Sequence, residues 1–71
     1  MMLVEDLESS FALIEEFPHA GEGVPHRRIA NLRRLLLSRV DYHLYYVVSL
    51  EERVVELLAL WHTSRGTKPR L

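Results

Sequence analysis

The chain has 71 residues and a mass of 8.3 kDa, enough for one small domain spanning 1–71 and little else. Apolar residues make up 48% and charged residues 27%, which excludes intrinsic disorder; with no cysteine there is no disulfide, no zinc–thiolate site and no thiol nucleophile. The formal net charge of −1 conceals a split, since residues 1–22 hold six acids and no Lys or Arg while 23–71 hold nine bases against four acids. An anionic partner is therefore not excluded by the overall charge.

The first predicted element is a helix over Leu3–Phe17. No Gly or Pro interrupts Leu3–Glu16, and Leu3, Leu7, Phe11 and Ile14 recur at the spacing of one helix face. Glu5, Asp6, Glu8, Ser9, Glu15 and Glu16 fill the other side, with the early acids suited to the N-terminal end of the helix dipole. Pro18 disfavours helical backbone at Phe17 and ends the element there. Leu13 beside Ile14 makes the apolar stripe wider than one helix needs. The acidic start is wrong for a secretory signal, and no apolar run reaches the roughly 18 residues of a membrane span, so a cytoplasmic protein is expected.

A loop follows from Pro18 to about Ala30, punctuated by Gly21, Gly23 and Pro25. His19 and His26 lie in it, but two histidines without a third ligand do not make a metal site. No metal or other cofactor is expected.

Three strands are then predicted: Asn31–Ser38, Tyr42–Ser49 and Arg53–His62, all rich in β-branched, aromatic or leucine side chains. Links of about three residues, around Arg39-Val40-Asp41 and Leu50-Glu51-Glu52, allow only antiparallel hairpins. In the middle strand Tyr42, Leu44, Tyr46 and Val48 face one way, and His43, Tyr45 and Val47 the other. One side takes the helix, which leaves the other as a partly open face with aromatic and basic groups. Arg33 and Arg34 point to opposite faces, one available to a functional patch and the other to the acidic helix. Trp61 is expected to pack in the core. His62 is expected to hydrogen-bond the strand-end backbone, and Arg65, Lys68 and Arg70 to form a frayed basic tail.

The run Asn31–Val48 followed by Arg53–Arg65 resembles the RelE/ParE toxin superfamily of type II toxin–antitoxin modules, also called plasmid stabilisation proteins. Arg33 opening one strand, Tyr42 with Tyr46 in the next, and His62-x-x-Arg65 closing the last carry the likeness, with Pro18…Gly21 after the helix. The likeness covers roughly residues 3–66. It implies an α+β fold with one N-terminal helix packed on a three-stranded antiparallel sheet, shorter at its N-terminus than most members by a strand and a helix. The apolar stripe then lacks cover, which a homodimer would restore.

The resemblance also implies a function. A ParE-like toxin inhibits DNA gyrase by binding, without chemistry of its own, and is neutralised by a cognate antitoxin. Arg33, Tyr42, Tyr46, His62 and Arg65 are its candidate target-binding residues. The alternative is a RelE-like endonuclease cutting mRNA on the ribosome, with His62 and Arg65 as the candidate catalytic pair. A third reading is an inactive remnant or plain homodimeric domain. The thin set of cations before the tyrosines favours the gyrase reading.

Overall fold

The computed structural model describes residues 2–49 and 51–71. Helix α1 spans Met2–Glu16, followed by strands β1 (Glu22–Gly23), β2 (Leu32–Leu37), β3 (Tyr42–Ser49) and β4 (Val54–His62). The strands form one antiparallel sheet in the order β1-β2-β3-β4. The α+β architecture agrees with the sequence, but among the described residues the sheet has four strands rather than the three expected. The added strand is β1, inside the predicted loop. Two residues carry no periodicity to betray a strand. It forms because Glu22 and Gly23 pair with Arg34 and Arg33, and the Val24 N–H then donates to the Leu32 carbonyl at 2.8 Å.

Each long strand is entered from a left-handed residue: Asn31 (φ 60°) before β2, Asp41 (φ 55°) before β3 and Arg53 (φ 56°) before β4. In the β2–β3 link the Val40 N–H donates to the Leu37 carbonyl at 3.1 Å, and Asp41 then reverses the chain. A tight turn closed by a left-handed residue matches the right-handed twist of the flanking strands. Asn and Asp tolerate that conformation; Arg53 adopts it at a cost of about 1 kcal/mol. Leu50, part of the predicted β3–β4 link, lies outside the described residues.

Helix α1 ends as the sequence predicts. The Phe17 N–H still donates to the Leu13 carbonyl at 2.7 Å, and Pro18 then turns the chain, with the Ala20 N–H on the Phe17 carbonyl at 2.9 Å. The helix lies on one sheet face. Ile14, Leu44 and Tyr46 form the buried centre, with Leu7, Leu35, Val48, Val55 and Leu60 packed around them. Burying a side chain such as Ile14 contributes about 1.5–3 kcal/mol.

The buried helix face is rotated from the predicted stripe. Ser10 is buried, its hydroxyl donating to the Asp6 carbonyl at 2.7 Å, while Phe11, Leu13 and Phe17 remain exposed. A serine here lets α1 approach the sheet closely, which a phenylalanine would prevent. The rotation also brings Asp6 to Arg39 of the β2–β3 turn, at 3.2 Å. Among the described residues no helix is long and apolar enough to cross a membrane.

Candidate functional site

Arg33 and Arg34 leave β2 on opposite sides. On the helix side, the Arg33 guanidinium donates to the carbonyls of Gly21 (2.5 Å) and His19 (3.4 Å) in the loop after α1. Arg33 pairs across the sheet with Tyr46. Tyr46 is fully buried; its hydroxyl accepts the Gly21 N–H at 2.9 Å and donates to the Pro18 carbonyl at 3.1 Å. Gly21 has no alternative at this point. A Cβ there would lie 2.7 Å from both the Arg34 carbonyl oxygen and the Tyr46 hydroxyl. Arg33, Tyr46 and Gly21 thus lock the loop onto the sheet.

Tyr42 and His62 pair across β3 and β4 at the other end. Their rings meet edge to face, with centroids 4.9 Å apart. His62 Nδ1 accepts the Ser64 N–H at 3.0 Å and lies 2.6 Å from the Ser64 hydroxyl. The expected strand-end hydrogen bond is present, and with Nδ1 accepting, the neutral ring carries its proton on Nε2. Tyr46 and Tyr42 are four residues apart on β3, about 13 Å along an antiparallel strand. The five sequence-predicted residues therefore do not form one patch. Tyr42, His62 and Arg65 share one end; Arg33 and Tyr46 belong to the lock at the other.

The sheet face turned away from α1 gathers a different set. Arg34 pairs with Glu22 of β1 and lies 3.5 Å from the Tyr45 hydroxyl. Tyr45 and His43 rings meet at 6.3 Å. Burial, then the Arg34 charge, push the His43 imidazole below the ordinary histidine value of 6.5, against a weaker opposing effect of Glu22. Trp61 follows on β4, opposite His43, with the Arg65 guanidinium 4.5 Å above its ring. Trp61 is thus a partly exposed stacking platform and not the core residue that was expected.

The tail does not fray at its start. The Trp61 Nε1–H donates to the Thr67 carbonyl at 2.7 Å, returning Thr67 and Lys68 to the cleft lined by Arg34, His43, Tyr45 and Trp61. Tyr45 is consequently only 3% exposed although it faces away from the helix. A larger open cleft of about 730 Å³ lies near the opposite end, lined by His19, Asn31, Arg33, Ser49 and Glu51 among others. Its one arginine is already engaged with loop carbonyls, so the smaller cleft is the better candidate for an anionic surface.

Alternation along β3 did place His43 and Tyr45 on the open side. What sequence reasoning missed was Arg34 as the cation joining them and Trp61 as the platform. The residue parity of β2 would have selected Arg34 over Arg33 once the helix side was assigned. Among the described residues no three His, Cys, Asp or Glu side chains gather as a metal site.

One acidic helix backed onto an antiparallel sheet, with arginine and aromatic side chains on the free face, defines a small α+β protein equipped for charged contacts on one side. A family model described as the ParE toxin of the type II toxin–antitoxin system, parDE, matches residues 2–66. The match spans nearly the whole chain, and the chain belongs to this family. It is accordingly a toxin of a type II toxin–antitoxin system, and the family implies a cognate antitoxin as its partner. No curated protein and no solved structure matches the chain.

Proposed function

We propose that this toxin inhibits DNA gyrase by binding, through Arg34, His62, Lys68 and the stacked Arg65–Trp61 around one cleft, with the buried Tyr45 lining it from beneath and Tyr42 packed on the His62 ring as support. The observation that carries this reading is the convergence of Arg34, Arg65 and Lys68 with Tyr45 and Trp61 beside one cleft. Aromatic platforms flanked by arginine suit protein contacts whose charge is opposite. Arg33 and Tyr46, candidates from sequence, support the site from behind by holding the loop and do not touch the target.

The ribosome-dependent mRNA nuclease is the weaker reading. Such chemistry needs cations and a proton-transfer group around one phosphate. Here Arg33 lies a strand's length from His62, and His62 Nδ1 is occupied by Ser64. The antitoxin, in this reading, neutralises the toxin by laying acidic groups over Arg34, Arg65 and Lys68.

The test is a gyrase supercoiling assay beside an mRNA cleavage assay on programmed ribosomes. Wild type is expected to inhibit gyrase and leave mRNA intact. Arg34→Ala and Arg65→Ala should each weaken inhibition about tenfold, the effect of losing a charge-assisted contact. Arg33→Ala, corrected for the fraction folded, should retain it. Cleaved mRNA with gyrase unaffected would transfer the assignment to the nuclease reading.

A further inference from the structure

Helix α1 covers only part of its side of the sheet. Neighbouring strands lie about 4.8 Å apart and packed helices about 10 Å, so one helix shields two strands. The flank of α1 that carries Asp6, Ser9 and Leu13 borders β2, against Leu35, Leu37 and Arg39. The helix therefore lies over β2 and β3 and stops short of β4. Two cross-strand neighbours record the step. Tyr46 on β3 is fully buried, while Leu57, its partner on β4, is 44% exposed on the same face.

The other flank of α1 is apolar and open as well. At about 3.6 residues per turn, Val4 and Phe11 fall within about 20° of each other and roughly 160–180° from Leu13, which turns them toward β4. Both are exposed. With Leu57 and the half-buried Val55 and Leu60 they wall a trough between α1 and β4. Val55 and Leu60 pair with Val48 and Leu44, so they share the helix side. One end of the trough is a cleft of about 270 Å³ between Ile14, Glu15 and Pro18 and the strand residues Val48, Arg53 and Val55. Glu8 and Glu15 sit about 20–60° further round α1 than Val4 and Phe11 and form the rim. Both are exposed, and among the described residues neither has an ion-pair partner.

We propose that this trough docks one helix of the cognate antitoxin, apolar on one face and bordered by Lys or Arg where it meets Glu8 and Glu15. The proposal rests on the family's antitoxin and not on which target the toxin binds. The dimensions ask for a helix. One seated about 10 Å from α1 lies over β4 and covers Val4, Phe11 and Leu57 together. A strand added to the β4 edge would only extend the sheet and leave all three in water. The charge selects the kind of helix. Glu8 and Glu15 are seven residues apart, about 10.5 Å along the axis, so Lys or Arg at the same spacing on the docked helix reaches both. A second copy is unsuited, because the helix it would offer, α1, holds Glu5, Asp6, Glu8, Glu15 and Glu16 and no Lys or Arg. Acid would face acid. An anionic membrane surface is repelled for the same reason. The trough opens at the β4 edge, and the Trp61–Arg65 stack lies across that edge on the other face. An antitoxin held by a basic-bordered helix can therefore pass an acidic segment over the edge to Arg34, Arg65 and Lys68.

Calorimetric titration of the full-length antitoxin into the full toxin chain tests the proposal. Leu57→Ser and Phe11→Ser should each weaken binding about tenfold, through the apolar contact each loses. Glu8→Lys combined with Glu15→Lys should weaken it about fivefold at low salt and less at high salt. Both glutamates lie on the helix surface, so circular dichroism should show this variant folded even where Leu57→Ser is not. None of these side chains lines the target-binding cleft. Gyrase inhibition without antitoxin should be unchanged, and the binding measurement stands whether or not gyrase is the target. The chain has no cysteine, so Leu57→Cys offers a single thiol whose alkylation antitoxin should slow. Wild-type affinity in Leu57→Ser and Phe11→Ser, or unchanged or tighter binding on reversing both glutamates, would overturn the proposal. So would a Leu57→Cys thiol that stays reactive with antitoxin bound or is shielded by raising the toxin concentration alone, the sign of a second copy. Outward amides along β4 newly protected by antitoxin would instead reveal an added strand and sink the helix.

Discussion

Arg33 and Arg34 are neighbours in sequence, yet they live in different chemical settings. Arg33 turns toward the helix side and spends its donors on the carbonyls of Gly21 and His19. Arg34 turns away, pairs with the exposed Glu22 and sits beside Tyr45. The helix side of the sheet is fastened by directional hydrogen bonds around a buried tyrosine. The open side holds its charge in looser, solvent-facing contacts. A strand's two-residue period thus divides one Arg-Arg pair into a structural residue and a contact residue. Stability should be sensitive on the first side, and target binding on the second.

The sharpest way to break this contrast is at Gly21. Gly21→Ala forces a Cβ against the Arg34 carbonyl, a backbone atom that cannot swing aside. A loss of about 3 kcal/mol is expected in urea unfolding, and an unchanged midpoint would mean the loop is not locked there. Tyr46→Phe removes one hydroxyl and leaves the Gly21 N–H and the Pro18 carbonyl without their partner. About 2 kcal/mol should be lost, readable by the same denaturation.

The two arginines can then be compared directly. Arg33→Ala should cost about 1.5 kcal/mol, because it frees carbonyls in the partly buried loop. Arg34→Ala should cost about 0.5 kcal/mol, since its partner Glu22 is largely exposed. Equal losses for the two variants would erase the distinction between the faces.

The smallest effect concerns pH. The folded state holds His43 below its unfolded value of 6.5. Above that value both states are neutral and the residue leaves stability unchanged. As pH falls below it, the unfolded chain binds a proton that the folded chain resists, so stability declines until the lower folded value is passed. Denaturation midpoints of wild type and His43→Gln, measured from pH 7.5 to 5, should diverge in that direction. The wild type should lose more, and parallel curves would show that the open face does not resist a charge at His43.

Much of the architecture was legible in the residues. The helix ended where Pro18 demanded, and the β-branched and aromatic runs became β3 and β4 within a residue of the predicted bounds. The short turns enforced antiparallel order. Strand β1 was hidden because two residues have no period; it exists only because Arg33 and Arg34 offer a backbone edge for Glu22 and Gly23. The rotation of α1 was hidden for a related reason. Counting apolar spacing favoured Phe11, whereas close approach to the sheet selected Ser10.

The site divides in the same way. Sequence alone placed His43 and Tyr45 opposite Tyr42 and Tyr46, because alternation is a local property of any strand. It also separated the acidic first third from the basic remainder. Which arginine faces the helix is not local, since it depends on which side of β2 the helix covers. The return of the tail onto Trp61, through Arg65 and the Thr67 carbonyl, likewise follows from contacts made only after the sheet has formed. Secondary structure and charge asymmetry were therefore written in the chain itself. The assignment of Arg33 to support and Arg34 to the open face came from packing, because a side chain's role depends on what the fold sets against it.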